Sequence, residues 1–324
     1  MTSMVTGAAG FVGSHLVRAL LVKGEQVRAL VRPTSDRRNL AGLDMDVVLG
    51  DVRDPQAVAA VMAGCDVVYH VAARYSSLPE DIADMYAINV GGTKCVLRAA
   101  LAAGVQRAVL TSTIGAIGRP AGGGPPTEET PFNLWPTASH YVKSKFLSEV
   151  AALRLAEKGL PLVIVHSCAP IGTGDSKPTV TGQRIVDFLN GRRPSYLTGG
   201  INFVAVSDVA QGHVLAARRG RLGERYILGN TRGNLSLDDF LRLLAQVSGQ
   251  VVPPPEPLPW RARWRRRGKQ PPGFKPAALT ANPQKAIREL GLPQTPLTDA
   301  FAEAVAWFKA NGHVLKYTSR QADE

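Results

Sequence analysis

The chain has 324 residues, 45% of them hydrophobic and 20% charged, with a formal net charge of +12. That length points to one large α/β domain or a domain with a smaller lobe, and the composition excludes a disordered, collagen-like or disulfide-stapled chain. Three scattered cysteines (Cys65, Cys95, Cys168), no apolar run of about 18 residues and a start that reads as strand and glycine loop point to a reducing, cytoplasmic setting. They argue against a structural metal, a membrane span or a leader.

Ser3–Thr6 reads as a strand and Phe11–Lys23 as a helix. Strands at Gln26–Val31 and Asp46–Leu49, a helix at Pro55–Met62 and the apolar run Asp66–Val71 follow. A long helix spans about Glu80–Ala103. Next come strand Arg107–Thr111, a Gly/Pro-rich loop to Pro136, helix Ser139–Glu157 and strand Leu160–His166. Strands alternating with helices of this length predict βαβ units and a parallel sheet covered on both faces. Beyond them, Thr179–Asn190 is helical, and Phe203–Val206 and Arg225–Leu228 are short strands flanking a helical Val209–Ala217. Ser236 caps a helix to Val247, Pro283 after Asn282 opens Gln284–Leu290, and Thr298 caps a last helix closed by Asn311-Gly312. The stretch from Pro253 to Pro276, rich in Pro, Arg and Trp, is the least domain-like.

Gly7-Ala8-Ala9-Gly10-Phe11-Val12-Gly13 lies between the first strand and the first helix. Three glycines at this spacing arise by chance about 0.3 times in such a chain, so the motif is weak alone. Its place in a βαβ unit gives it meaning. The glycines allow a tight turn, close approach of a pyrophosphate and packing of helix on strand, and the helix N-terminus offers N–H groups to phosphate. A carboxylate at the end of strand two would select NAD(H), whereas Arg accommodates the 2′-phosphate of NADP(H). Here Arg32 stands there, with Arg37 and Arg38 nearby, so NADP(H) is expected and NAD(H) stays open. Asp51-Val52, after strand three, is placed for the adenine edge or is plain surface.

Tyr141 and Lys145 stand four residues apart, on one helix face. An ammonium beside a phenol lowers its pKa and lets it exchange a proton with a carbonyl or hydroxyl while nicotinamide exchanges hydride. Around this pair the chain resembles the extended short-chain dehydrogenase/reductase family along nearly its whole length. The matching pieces stand in order: the glycine loop, Asp51-Val52, His70-Val71-Ala72-Ala73, Asn89-Val90-Gly91-Gly92-Thr93, Leu110-Thr111-Ser112-Thr113, and Tyr141/Lys145. The resemblance implies a Rossmann doubly wound sheet over residues 1–165, to which 196–230 returns, with 166–324 mainly a smaller α+β substrate lobe. It implies that Tyr141 is the acid/base, that Lys145 binds the ribose and tunes it, and that Thr113, with Ser112 as fallback, hydrogen-bonds the substrate oxygen. It sets Gly7, Ala9, Gly10, Phe11, Val12, Gly13, Asp51, Val52, Val71, Ala72, Ala73, Asn89, Ser167 and Cys168 along the cofactor. A homodimer through a helix pair is a family-level expectation.

Within the superfamily the chain is most similar to the dihydroflavonol-4-reductase-like group, in particular to the hopanoid-associated sugar epimerases. Arg32–Leu40, Val186–Gly191 and Gly223–Gly229 carry that likeness. Nucleotide-sugar epimerases of the family usually carry an Arg where Ile201 stands, and dehydratases carry Asp-Glu where Ile114-Gly115 stand. An NADPH-dependent reductase of an aldehyde or ketone on a fairly apolar substrate is therefore expected. The alternatives are a sugar epimerase using Arg184, Arg192 or Arg193 for phosphate, and a non-catalytic NADP-binding or membrane-associated protein.

Two segments depart from the family. Where Asn-Pro-Ser is usual, the chain has His166-Ser167-Cys168-Ala169-Pro170, with His166 and Cys168 either touching the ligands or packing the strand end. Trp260–Lys269 holds six cations and no acid, the pattern of a solvated loop or of a segment resting on an anionic membrane; nothing else resembles a nucleic-acid module.

Overall fold

The computed structural model describes residues 1–255 and 278–315, so Trp260–Lys269 and its expected membrane contact lie outside the described residues. Seven parallel strands form the main sheet in the order β3-β2-β1-β4-β5-β6-β9: β1 (Thr2–Thr6), β2 (Gln26–Val31), β3 (Asp46–Leu49), β4 (Val67–His70), β5 (Arg107–Thr113), β6 (Leu162–Ser167) and β9 (Arg225–Leu228). A second sheet, β10-β8-β7, joins β7 (Ala169–Ile171) parallel and β10 (Asn234–Leu235) antiparallel to β8 (Ile201–Ala205).

Strand alternation divides the core between the two faces of the sheet. Val5, Val109 and Val163 point to α1 (Phe11–Val22) and α7 (Val206–Arg219), where Leu16, Leu20, Val209 and Val214 meet them. Met4, Leu110 and Ile164 point the other way. They pack against α2 (Pro55–Met62), α4 (Thr93–Ala102) and α5 (His140–Ala156) through Val58, Leu97, Ala152 and Leu155. The lobe has its own core of Phe188, Phe203, Phe240, Phe301 and Phe308, with Phe203 and Phe240 stacked at 5.1 Å. It joins α6 (Val180–Leu189), α8 (Leu237–Ser248) and α10 (Leu297–Ala310) to the small sheet; α9 (Gln284–Leu290) packs beside α7 instead.

Several expectations differ in detail. The long helix is three segments, α3 (Ile82–Tyr86), a π-helical turn (Ala87–Gly92) and α4; Gly92, ending the wide turn, packs so close to Val52 that a Cβ there would lie 2.6 Å from Cγ2. Within 196–230, α7 and β9 lie with the main sheet, but β8 is the middle strand of the small one. Ser236 does cap α8, in a reciprocal box with Asp239. Thr298 caps nothing: α10 starts one residue earlier, and Thr298 donates to its neighbour Asp299. No helix among the described residues is long and apolar enough to cross a membrane.

The loop after β7 ties lobe to sheet domain. His15 Nε2 on α1 donates to Thr173 O at 2.8 Å, and Asn39 Nδ2 donates to Gly174 O at 2.9 Å. Next to them Asp175 is buried, its carboxyl pushed up to about 6 by desolvation that outweighs the hydrogen bonds from Thr179. A folded pKa raised above the unfolded value of about 3.9 gives stability that is present at low pH and lost as pH climbs through 6, by roughly 3 kcal/mol. Asp175→Asn should therefore be more resistant to urea than the parent at pH 7.5 relative to pH 4.5. Equal pH dependence of the two denaturation midpoints would refute this.

Candidate active site

The glycine loop sits at the carboxyl end of β1, which pairs with β2 on one side and β4 on the other, the point where the strand order reverses. Gly7 has φ +70°, and a Cβ there would lie 2.7 Å from Ala72 N and 3.1 Å from Val71 C. The loop thus rests on the segment after β4, bringing Gly7–Gly13 and Val71–Ala73 together. Gly13 has no room for a Cβ against Gly7 O. Gly10 is the N-cap of α1 and offers no side-chain cap, so the first-turn N–H groups stay free for a ligand. Under the loop runs a buried relay. Thr6 accepts from Ala72 N at 3.2 Å and donates to His70 Nδ1 at 2.7 Å, and His70 Nε2 donates to Thr93 Oγ1 at 3.0 Å. Burial pushes His70 down to about 3, so this neutral tautomer is held at physiological pH.

Arg32 and Arg37 are exposed at the end of β2, with no carboxylate in salt-bridge range among the described residues, whereas Arg38 is paired with Asp36 at 2.6 Å. Asp51 shares this rim. Arg53 grips both its oxygens at 2.8 Å, and chiefly Arg53, with a contribution from Arg32, holds its carboxyl below the usual range. Val52 is buried beneath Gly92.

Helix α5, capped by Ser139, presents Tyr141 and Lys145 one turn apart. Lys145 Nζ donates to Thr111 O at 2.6 Å, and burial pushes the ammonium down to about 8 against the opposing pull of Glu149. The expected depression of the Tyr141 phenol is not found. Burial, with a smaller contribution from the Tyr75 phenol, pushes it up to about 12, because Lys145 is turned to the strand carbonyl. The two hydroxyls ending β5 separate by strand alternation. Ser112 is buried and donates to Glu149, so it does not face the cleft. Thr113 is half-buried, caps the turn at Ile114–Ala116, and lies beside the same glycine, Gly115, that abuts Val142 of α5. Of the pair, only Thr113 keeps some exposure.

Asn89 orders the site from behind. Its amide accepts from Arg74 N at 2.8 Å and donates to Arg74 O at 2.9 Å and Ser144 Oγ at 2.8 Å, clamping the loop after β4 to α5. The hydrogen bonds of the Asn89 side chain are thus met by protein groups. Ser167 donates to Cys168 O at 2.9 Å. The Cys168 thiol lies in the core, where burial pushes its pKa far up, and only its backbone remains for a ligand. His166 packs inside too: Nδ1 meets Thr113 O at 3.1 Å and Nε2 lies 3.5 Å from Glu149.

Two participants escaped the sequence reading. Glu149 follows Lys145 by one more helical turn, a spacing that could have disclosed it. Tyr75, whose ring meets Tyr141 edge-on at 5.0 Å, sits in an irregular loop with no periodic signal.

Residues 3–229 match the model of the "NAD dependent epimerase/dehydratase family". A Synechocystis sp. protein carrying the provisional name dihydroflavonol 4-reductase is 40% identical over 96% of this chain and 95% of its own. Cinnamoyl-CoA reductase 1 of Oryza sativa subsp. japonica is 30% identical over 96% and 91%. Among solved structures, Gox2253 superposes with a TM-score of 0.85 at 38% identity, covering 97% of this chain and 99% of that one. PA4631, a nucleoside-diphosphate-sugar epimerase from Pseudomonas aeruginosa, superposes with a TM-score of 0.81 at 28% identity over 97% and 99%.

Proposed function

The chain belongs to the NAD dependent epimerase/dehydratase family, and from that premise we propose that it is an NADPH-dependent reductase of an aldehyde or ketone carried on a largely apolar substrate. The observation that carries this reading is the placement of Tyr141 and Lys145 one turn apart on α5, next to Thr113 at the end of β5 and edge-on to Tyr75, a proton donor set beside the glycine-loop domain. The relatives named as reductases support it. Buried Ile201, where sugar-phosphate enzymes of the family carry Arg, weighs against the epimerase reading.

The residues fit a dinucleotide. Gly7 and Gly13 leave no space for side chains between loop, helix and the Ala72 backbone, and the uncapped α1 N-terminus and Arg32 suit phosphate groups. A bound nicotinamide dinucleotide supplies the hydride. Thr113 donates a hydrogen bond to the substrate carbonyl oxygen and orients it. Tyr141 passes its proton to that oxygen as the carbon is reduced, giving the alcohol, while Lys145, one turn along α5, would hold the ribose. Asn89, through Ser144, whose hydroxyl donates to Tyr141 O at 2.7 Å, keeps the first turn of α5 in place.

The test is NADPH oxidation across a panel of aldehydes and ketones, beside a panel of nucleotide sugars. Conversion of a sugar nucleotide with no NADPH oxidation on any carbonyl would replace this reading by the epimerase one. Arg32→Asp should weaken NADPH relative to NADH by about 10–100-fold, the worth of one charge-assisted phosphate contact. An unchanged ratio of the two KM values removes Arg32 from cofactor selection.

A further inference from the structure

Arg184 and Tyr196, on α6 and the segment after it, form a paired cation and ring in the lobe. Arg184 of α6 is half-buried, donating from Nε to Ser195 O at 2.9 Å and from Nη1 to Val180 O at 3.2 Å. Its guanidinium lies over the Tyr196 ring, 5.9 Å from the centroid, and Tyr196 is itself pinned by a hydrogen bond to Leu235 O at 2.9 Å. Nearby arginines are neutralised: Arg192 meets Asp187 at 2.8 Å and Arg193 meets Asp238 at 3.8 Å. Among the described residues, no carboxylate comes within 4.0 Å of Arg184 and no acceptor meets its Nη2.

Arg184 also lies within electrostatic reach of Tyr75. Burial lowers its guanidinium from the ordinary range, and the Tyr75 phenol is close enough, with Tyr196, to offset part of that. Tyr75 is 57% exposed and lies edge-on to Tyr141 at 5.0 Å. Tyr75 is thus a neighbour of both the proposed acid and this cation. A partly desolvated guanidinium without a counter-charge is costly, and a ligand oxyanion that accepts from its free edge removes the cost.

We infer that Arg184 is an anion-recognition residue of the substrate subsite, taking a carboxylate or phosphate monoester that the substrate carries beyond its carbonyl, with Tyr75 and Tyr196 flanking the apolar body between them. This rests on the carbonyl-reductase reading for the role of the ligand, but its test does not need turnover. Binding of benzoate, phenyl phosphate and neutral benzamide to the NADP-loaded protein is measured by calorimetry. The wild type should prefer at least one of the anions over benzamide by tenfold or more. Arg184→Met should erase that preference, and Arg184→Lys should restore part of it, since Lys keeps the charge but not the fork. The anion bound more tightly identifies the group. Equal binding of all three ligands, or an anion preference that survives in Arg184→Met, overturns the inference. Anion preference without NADPH oxidation on any carbonyl would sink the reductase reading alone, and oxidation without anion preference would sink only this one.

Discussion

Tyr141→Phe is expected to lower kcat for NADPH-dependent carbonyl reduction by about 10³-fold, equivalent to roughly 4 kcal/mol of transition-state stabilisation, within the range for loss of a positioned general acid. The dissociation constant for NADPH should stay within about twofold, because the phenol oxygen makes no hydrogen bond that holds the glycine loop or the β2 rim. Phenylalanine keeps the ring that packs edge-on against Tyr75, so the wall of the site should survive. Stopped-flow turnover with NADPH binding followed by fluorescence separates the two quantities. A variant whose kcat lies within tenfold of the parent would remove Tyr141 from the chemistry. Lys145 makes the complementary case: its ammonium, pushed down to about 8, gives up its proton just above neutrality. Its hold on the Thr111 carbonyl, and on a bound ribose, should therefore weaken as pH rises past 8.

Gly13→Ala is expected to weaken NADP(H) binding by more than tenfold and to destabilise the fold by about 1–3 kcal/mol, the range for inserting a methyl where nothing can yield. The added carbon collides with Gly7 O and comes within 2.8 Å of Gly7 C and 3.0 Å of Ala8 Cα, all backbone. Either α1 lifts from β1 or the loop shifts away from Ala72, and both disturb the phosphate cradle. Gly91→Ala is the matched control, since a Cβ there meets nothing within 4 Å. Thermal midpoints and NADP(H) titrations on the two variants decide it. Parent-like cofactor binding in Gly13→Ala would mean that the loop is not the cradle.

Much of this protein was legible from its residues because the signals are local. The 3.6-residue period and Gly, Pro and Ser punctuation marked α1, α2, α5 and α8, and β-branched runs marked β1 to β6 and β9. The same locality made the site readable. Gly7, Gly10 and Gly13 act within one turn, and the helix period alone sets Tyr141 beside Lys145. The sequence could not disclose β7 and β10, three and two residues long, since neither carries a period and each exists only by pairing with β8.

The chemistry of the site depended on contacts made across the chain. That Ser112 is buried on Glu149 while Thr113 keeps some exposure was decided by which face of β5 turns to α5. The upward shift of Tyr141 comes from burial and from Tyr75, 66 residues earlier, and no spacing along the chain encodes either. Asn89 looked like a cofactor residue in its motif, yet the fold gives its amide to Arg74 and Ser144. Arg184, Arg192 and Arg193 were indistinguishable as a cluster; the fold pairs Arg192 with Asp187 and Arg193 with Asp238 and turns Arg184 to the Ser195 carbonyl. Residue type and local period therefore determined the fold class and marked out the candidate catalytic pair. Desolvation and charge pairing depend on neighbours distant in sequence, so protonation states, positioning residues and substrate contacts were decided only in the folded structure.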